Sequence, residues 1–149
     1  MKIVISGASG LIGTQLVKRL SANGHDVVRL VRRTAKSGEV QWDPKRGVLD
    51  PAALAGVDAV IHLSGAGIGD KRWTNSYRKE IMDSRTLSTA LLASTIAGMS
   101  TKPTVFLSGS AIGIYGARKD EQLTEVSTHG TGFLADVCEQ WELAAKPAI

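Results

Sequence analysis

Short runs of β-branched and aliphatic residues alternate along this chain with longer segments whose apolar positions recur every three or four residues. The runs are KIVIS (Lys2–Ser6), DVVRLV (Asp26–Val31), EVQW (39–42), DAVIHLS (58–64) and TVFLSG (104–109). Rich in Val and Ile, they read as strands buried on both faces. Between the first two, Ile12, Leu16 and Leu20 share one helical face, and Asn23 with Gly24 supplies a stop signal. A short helix is expected over 51–55, and a long one over 75–97 with Ile81, Leu87, Leu91 and Leu92 on its apolar stripe. A last helix is expected over 132–146. Strands alternating with helices predict an α/β fold, a doubly wound parallel sheet with helices on both faces.

Composition fits one such domain: of 149 residues, 43% are hydrophobic and 21% charged. No apolar run approaches the roughly 18 residues of a membrane-spanning helix, and MKIVIS enters a strand without a basic leader, so a cytoplasmic protein that does not bind membranes is expected. The single cysteine, Cys138, can form no internal disulfide, and His25, His62 and His129 lack metal-ligand spacing, so no metal is expected. The net charge of +4 is uneven: residues 1–79 carry 13 Lys/Arg against 6 Asp/Glu, and residues 80–149 carry 5 against 8. The basic residues are scattered over several predicted loops without interleaved aromatics, which argues against nucleic acid and for a phosphorylated small ligand.

A site for such a ligand is written into ISGASGLIG, where Gly7, Gly10 and Gly13 fall between the first strand and the first helix. Glycines at this turn permit a tight bend, let backbone approach a pyrophosphate, and let helix and strand lie close. The helix N-terminus adds free N–H groups and the positive end of its dipole. Gly7, Ser9, Gly10, Leu11, Ile12 and Gly13 are therefore expected to hold a dinucleotide. At the end of the second strand, where NAD enzymes keep an acid for the ribose hydroxyls, this chain has Arg32 and Arg33. Guanidinium groups there pair with a 2′-phosphate, which favours NADP(H) over NAD(H).

Taken together, GASGLIG, HLSGAG after the fourth strand and SGSAIGIYG after the fifth resemble the extended short-chain dehydrogenase/reductase superfamily. RWTNSYRKEIMDSRTLST, SAIGIYGARKDEQLTE and GFLADVCEQWELAA are similar to its atypical subgroup of nucleoside-diphosphate-sugar epimerase-like proteins. The resemblance covers nearly the whole chain. It implies a Rossmann fold with strand order 3-2-1-4-5, NADP(H) as cofactor, and a cofactor path beside Ser64, Gly65, Ala66 and Ser108. It also implies a homodimer built on the helices over 75–97 and 132–146. Chains of family length continue through further strands and a substrate-binding region, so about half of such a chain is expected to lie beyond Ile149.

The resemblance places Ser110 where the family polarises the substrate oxygen. The family's acid/base Tyr and its Lys four residues later align here with Phe133 and Val137, which can neither titrate nor hydrogen-bond a ribose. Tyr115 is a candidate proton donor, although the tyrosine of IYG patterns in this superfamily more often lines a pocket. Asp120 and Glu121 read better as a solvated loop, with Lys119 open to either reading; His62 reads better as a satisfied buried imidazole, and Cys138 as a small buried hydrophobe. The expected function is an NADP(H)-dependent oxidoreductase or epimerase acting on a sugar nucleotide or carbonyl compound. The alternative is a non-catalytic NADP(H)-binding sensor or regulatory module.

Overall fold

The computed structural model describes residues 1–149. Five strands, β1 (Lys2–Ser6), β2 (Asp26–Val31), β3 (Glu39–Gln41), β4 (Ala59–His62) and β5 (Val105–Ser108), form one parallel sheet in the order β3-β2-β1-β4-β5. Chain direction and order are those of the expected doubly wound Rossmann sheet. The three helices are α1 (Leu11–Ala22), α2 (Asn75–Ala97) and α3 (Phe133–Ala145).

β1 is the axis of the sheet, with Val4 opposite both Val28 and Val60. One sheet face carries Val4, Leu30 and Val60 against Trp42, Leu54, Leu92 and Ile96. The other carries Ile3, Ile5 and Ala59 against Leu16, Val17 and Leu20 of α1. Alternation of side chains along parallel strands sends successive residues to these two cores. Thr74 caps α2 by accepting the Tyr77 N–H at 3.2 Å. Gly24 ends α1 in the left-handed region at φ +78°, its N–H on Ser21 and the next on Leu20.

Several expectations need correction. Ile12 is 69% exposed; of the three expected residues only Leu16 and Leu20 pack against the core, joined there by Val17. Leu87 is 41% exposed; the buried stripe of α2 runs through Tyr77, Ile81, Ser88, Thr89, Leu92 and Ile96. The 51–55 segment is a 3-10 turn over Pro51–Leu54, started by Asp50, whose side chain accepts from the Ala52 N–H. β5 is not buried on both faces: it is an edge strand with Leu107 55% exposed. No helix is long and apolar enough to cross a membrane.

Candidate functional site

The three glycines of the first turn have three different tasks. Gly7 sits at φ +71°, and a Cβ there would lie 2.6 Å from the Leu63 carbonyl carbon and oxygen, so this glycine brings the turn against the end of β4. A Cβ on Gly13 would lie 2.2 Å from the Gly7 oxygen, so this glycine lets α1 lean on the turn. Gly10 is different: a Cβ there would meet nothing closer than the Gly7 oxygen at 3.4 Å. The fold itself leaves room at Gly10. Gly10 is also the N-cap of α1 and brings no capping side chain, so no side chain takes the N–H groups of the first helical turn, at Leu11, Ile12 and Gly13, beside the open space at Gly10.

That space is a groove of about 1400 Å³ along the C-terminal edge of the sheet, lined by the β1 turn, the end of β2, the segment after β4 and the N-terminal half of α2. Gly7, Ser9, Gly10, Arg32, Arg33, Ser64, Gly65 and Ala66 all face it. The 64–66 segment is held from α2. The Ala66 N–H donates to Ser84 Oγ at 2.9 Å, and Arg85 donates to the Ala66 oxygen and to the Ile81 oxygen, both at 3.0 Å. Burial pushes the Arg85 pKa down, and its guanidinium lies 5.2 Å from the Trp141 ring centroid. Tyr77 donates its hydroxyl to the Gly67 oxygen at 2.5 Å and so anchors the next stretch of wall.

Beneath the groove, His62 is fully buried between Ser6 and Ser88, with Nδ1 2.5 Å from Ser6 Oγ and Nε2 3.0 Å from Ser88 Oγ. Ser88 also donates to the Ser84 oxygen at 2.6 Å. With its only proton so committed, Ser88 accepts from Nε2–H, and Nδ1 accepts from Ser6. Burial lowers the His62 pKa to about 4, so the ring is neutral. It is the satisfied imidazole expected from the sequence.

The two arginines after β2 are not equivalent. Arg33 sends Nη1 and Nη2 to the two carboxylate oxygens of Glu39 at 2.6 and 2.7 Å. Arg29 approaches the same carboxylate at 3.2 Å, and the Lys36 N–H donates to it at 2.9 Å. These contacts, the Arg33 hydrogen bonds foremost, hold the Glu39 pKa at about 2. Arg32 is exposed and enters no ion pair. The sequence suggested two free guanidiniums; the fold leaves Arg32 uncommitted.

The catalytic candidates stand apart. Ser110 and Tyr115 are not among the residues lining the groove, and neither are Leu11, Ile12, Gly13 and Ser108, which were expected to bind the cofactor. Ser110 donates to Glu142 of α3 at 2.5 Å, Ser108 points to the Gly109 oxygen at 3.4 Å, and Tyr115 ends a 3-10 turn over Ile112–Tyr115. Phe133 meets the Trp73 ring at 5.5 Å, with the Arg78 guanidinium near both rings. Val137 is buried against Tyr77 and Ile81, and Cys138 is buried with its thiol pKa raised by desolvation. Sequence reasoning missed Glu39, Tyr77, Ser84 and Arg85. Only the spacing of Tyr77, Ser84 and Ser88, seven and four residues apart on one side of a helix, could have hinted at a polar face turned to a ligand.

The profile of the NAD dependent epimerase/dehydratase family matches residues 3–133. An epimerase family protein of Mycobacterium leprae is 42% identical over 147 residues, covering 98% of this chain and 47% of its own length. A nucleoside-diphosphate sugar epimerase of Corynebacterium glutamicum superposes with a TM-score of 0.85 at 41% identity, over 99% of this chain and 31% of that one. The human epimerase family protein SDR39U1, solved with NADPH, superposes with a TM-score of 0.84 at 28% identity, over 97% of this chain and 48% of that one. The chain thus spans about half the length of the curated relatives it matches.

Proposed function

This chain belongs to the NAD dependent epimerase/dehydratase family, and on that footing we propose that residues 1–149 are a dinucleotide-binding domain whose groove takes NADP(H). The observation that carries the reading is the open face of Gly10 above the uncapped start of α1, a cradle that any Cβ-branched side chain would fill. The Leu11, Ile12 and Gly13 amides donate to the pyrophosphate. Arg32 meets the 2′-phosphate, and Ser64, Gly65 and Ala66 run beside the ribose and nicotinamide. The NADPH of the human relative supports the same choice. Bound there, the nicotinamide supplies hydride transfer.

For the whole protein the reading is an oxidoreductase or epimerase acting on a sugar nucleotide or another carbonyl compound, in keeping with the name of the Corynebacterium relative. Ser110 and Tyr115, which lie outside the groove lining, are the candidates to polarise the substrate oxygen and to move the proton. NADPH consumption at 340 nm against a panel of simple carbonyls and sugar nucleotides tests the oxidoreductase form, and chromatographic detection of epimer interconversion of the sugar nucleotides, in which the cofactor is regenerated, tests the epimerase form. Turnover that falls on substitution of Ser110 supports the assignment; turnover indifferent to both Ser110→Ala and Tyr115→Phe removes it.

A second reading is a cytoplasmic NADP(H)-binding sensor without catalysis, favoured by the chemistry of Phe133 and Val137, neither of which can transfer a proton. Tight NADPH binding with no turnover on any of the panel would select it. Under either reading the domain assembles as a homodimer through α2 and α3, where Leu87 and Leu143 are exposed at 41% and 40%.

A further inference from the structure

The sheet brings an acid to the place where the sequence offers only arginines. Arg29 of β2 stands opposite Glu39 of β3 in the parallel register, two positions before the end of β2, and the Glu39 carboxylate reaches Arg33 just beyond that end, where dinucleotide folds discriminate their cofactors. Glu39 lines the same groove as Arg29, Arg32 and Arg33. Its side chain is only 2% exposed, whereas those of Arg29 and Arg33 are 41% and 55% exposed. Both carboxylate oxygens are occupied from within the chain, by the fork of Arg33, by Arg29 and by the Lys36 N–H.

We propose that Glu39 is a masked acid that sets cofactor choice, with Arg33 acting by covering it and Arg32 serving as the cation that meets the 2′-phosphate. A bare carboxylate here would accept ribose hydroxyls and repel a 2′-phosphate, the behaviour of an NAD-selecting acid. Covered by two guanidiniums, it offers no acceptor, and the cluster of Arg29, Arg33 and Glu39 keeps one net positive charge. Preference for NADP(H) is then a property of Glu39 on β3 and of Arg32 and Arg33 just after β2. Arg33 is a positioning and shielding residue, and removing it has two effects: a cation is lost and an acid appears.

The proposal rests on the groove being the dinucleotide site, and the test separates the two. NADPH and NADH are titrated calorimetrically into the wild-type chain and into Glu39→Gln, Arg33→Met and Arg33→Met/Glu39→Gln, each checked for folding by circular dichroism. Arg33→Met is expected to lower the NADPH:NADH affinity ratio by at least about tenfold. The added Glu39→Gln is expected to restore about fivefold of that, since no carboxylate remains to be uncovered. Glu39→Gln alone, nearly isosteric, is expected to hold or raise the ratio, and it decides the matter if Arg33→Met does not fold. A fall of the ratio in Glu39→Gln, or no recovery in a folded double variant, overturns the proposal and makes Glu39 a mere anchor or bystander. Absence of binding of either cofactor by the wild-type chain overturns the groove reading and this proposal with it.

Discussion

Ser6 Oγ and His62 Nδ1 stand 2.5 Å apart in the buried floor of the groove, one residue before the first glycine of the turn. With Ser88 on the other ring nitrogen, the contact joins β1, β4 and α2 under the proposed cofactor site. Because burial holds the His62 pKa at about 4 against an ordinary 6.5, the unfolded chain takes up the proton first as pH falls. His62 therefore lends full stability above about pH 6.5, loses it progressively down to about pH 4, and leaves the pH dependence flat below. The loss over that window is about 3 kcal/mol. Urea unfolding at a series of pH values should show it, and His62→Gln should abolish the slope between pH 6.5 and 4.5. The Glu39 contribution vanishes only at lower pH, from about 4.5 down to about 2. An unchanged slope in His62→Gln would show that other groups carry the acid sensitivity.

The glycine turn separates binding from folding. Gly10→Val should leave the thermal midpoint near that of the wild type and remove NADPH binding, because a Cβ there meets nothing closer than the Gly7 oxygen at 3.4 Å while the branched side chain fills the cradle. Gly13→Ala should destabilise by about 1–3 kcal/mol or prevent folding, since its Cβ would fall 2.2 Å from the Gly7 oxygen. Melting curves with and without NADPH distinguish the two variants. Wild-type NADPH affinity in Gly10→Val would place the phosphates elsewhere.

Arg32→Ala should weaken NADPH by about 1.5–3 kcal/mol, the worth of a charge-assisted contact, while leaving NADH within error. The guanidinium has no intramolecular ion pair to lose, so the fold should be indifferent to the change. Fluorescence titration of the reduced cofactors measures both values. An equal loss for the two cofactors would move Arg32 away from the 2′-phosphate.

Assembly is checked by sedimentation over a hundredfold range of concentration. A dimer through α2 and α3 should persist in the wild type and dissociate in Leu87→Glu, whose carboxylate would be buried at the contact. A monomer at every wild-type concentration would remove the dimer.

The local patterns were legible in the sequence. The boundaries of β2 and α2 follow from β-branched runs and from the span of apolar periodicity, and the glycine turn declares itself by spacing. Periodicity says that a residue is apolar, not what covers it. For that reason Ile12 and Leu87, placed on buried stripes by spacing alone, lie at the surface. The site was half legible on the same ground: contiguous residues such as Gly7 to Gly13 could be read, whereas Glu39 joins Arg33 and Arg29 through strand pairing, and Arg85 reaches Ala66 from a helix 19 residues further on. Those relations are made by the fold and have no local signature.

The central claim is that the groove above Gly10 takes NADP(H) in preference to NAD(H). Isothermal titration of the wild-type chain with NADPH and NADH, in one buffer at pH 7.5 and moderate salt, tests it most directly. One site per chain and at least about tenfold tighter binding of NADPH are expected. Equal affinities, or no heat from either cofactor at millimolar concentration, would contradict it.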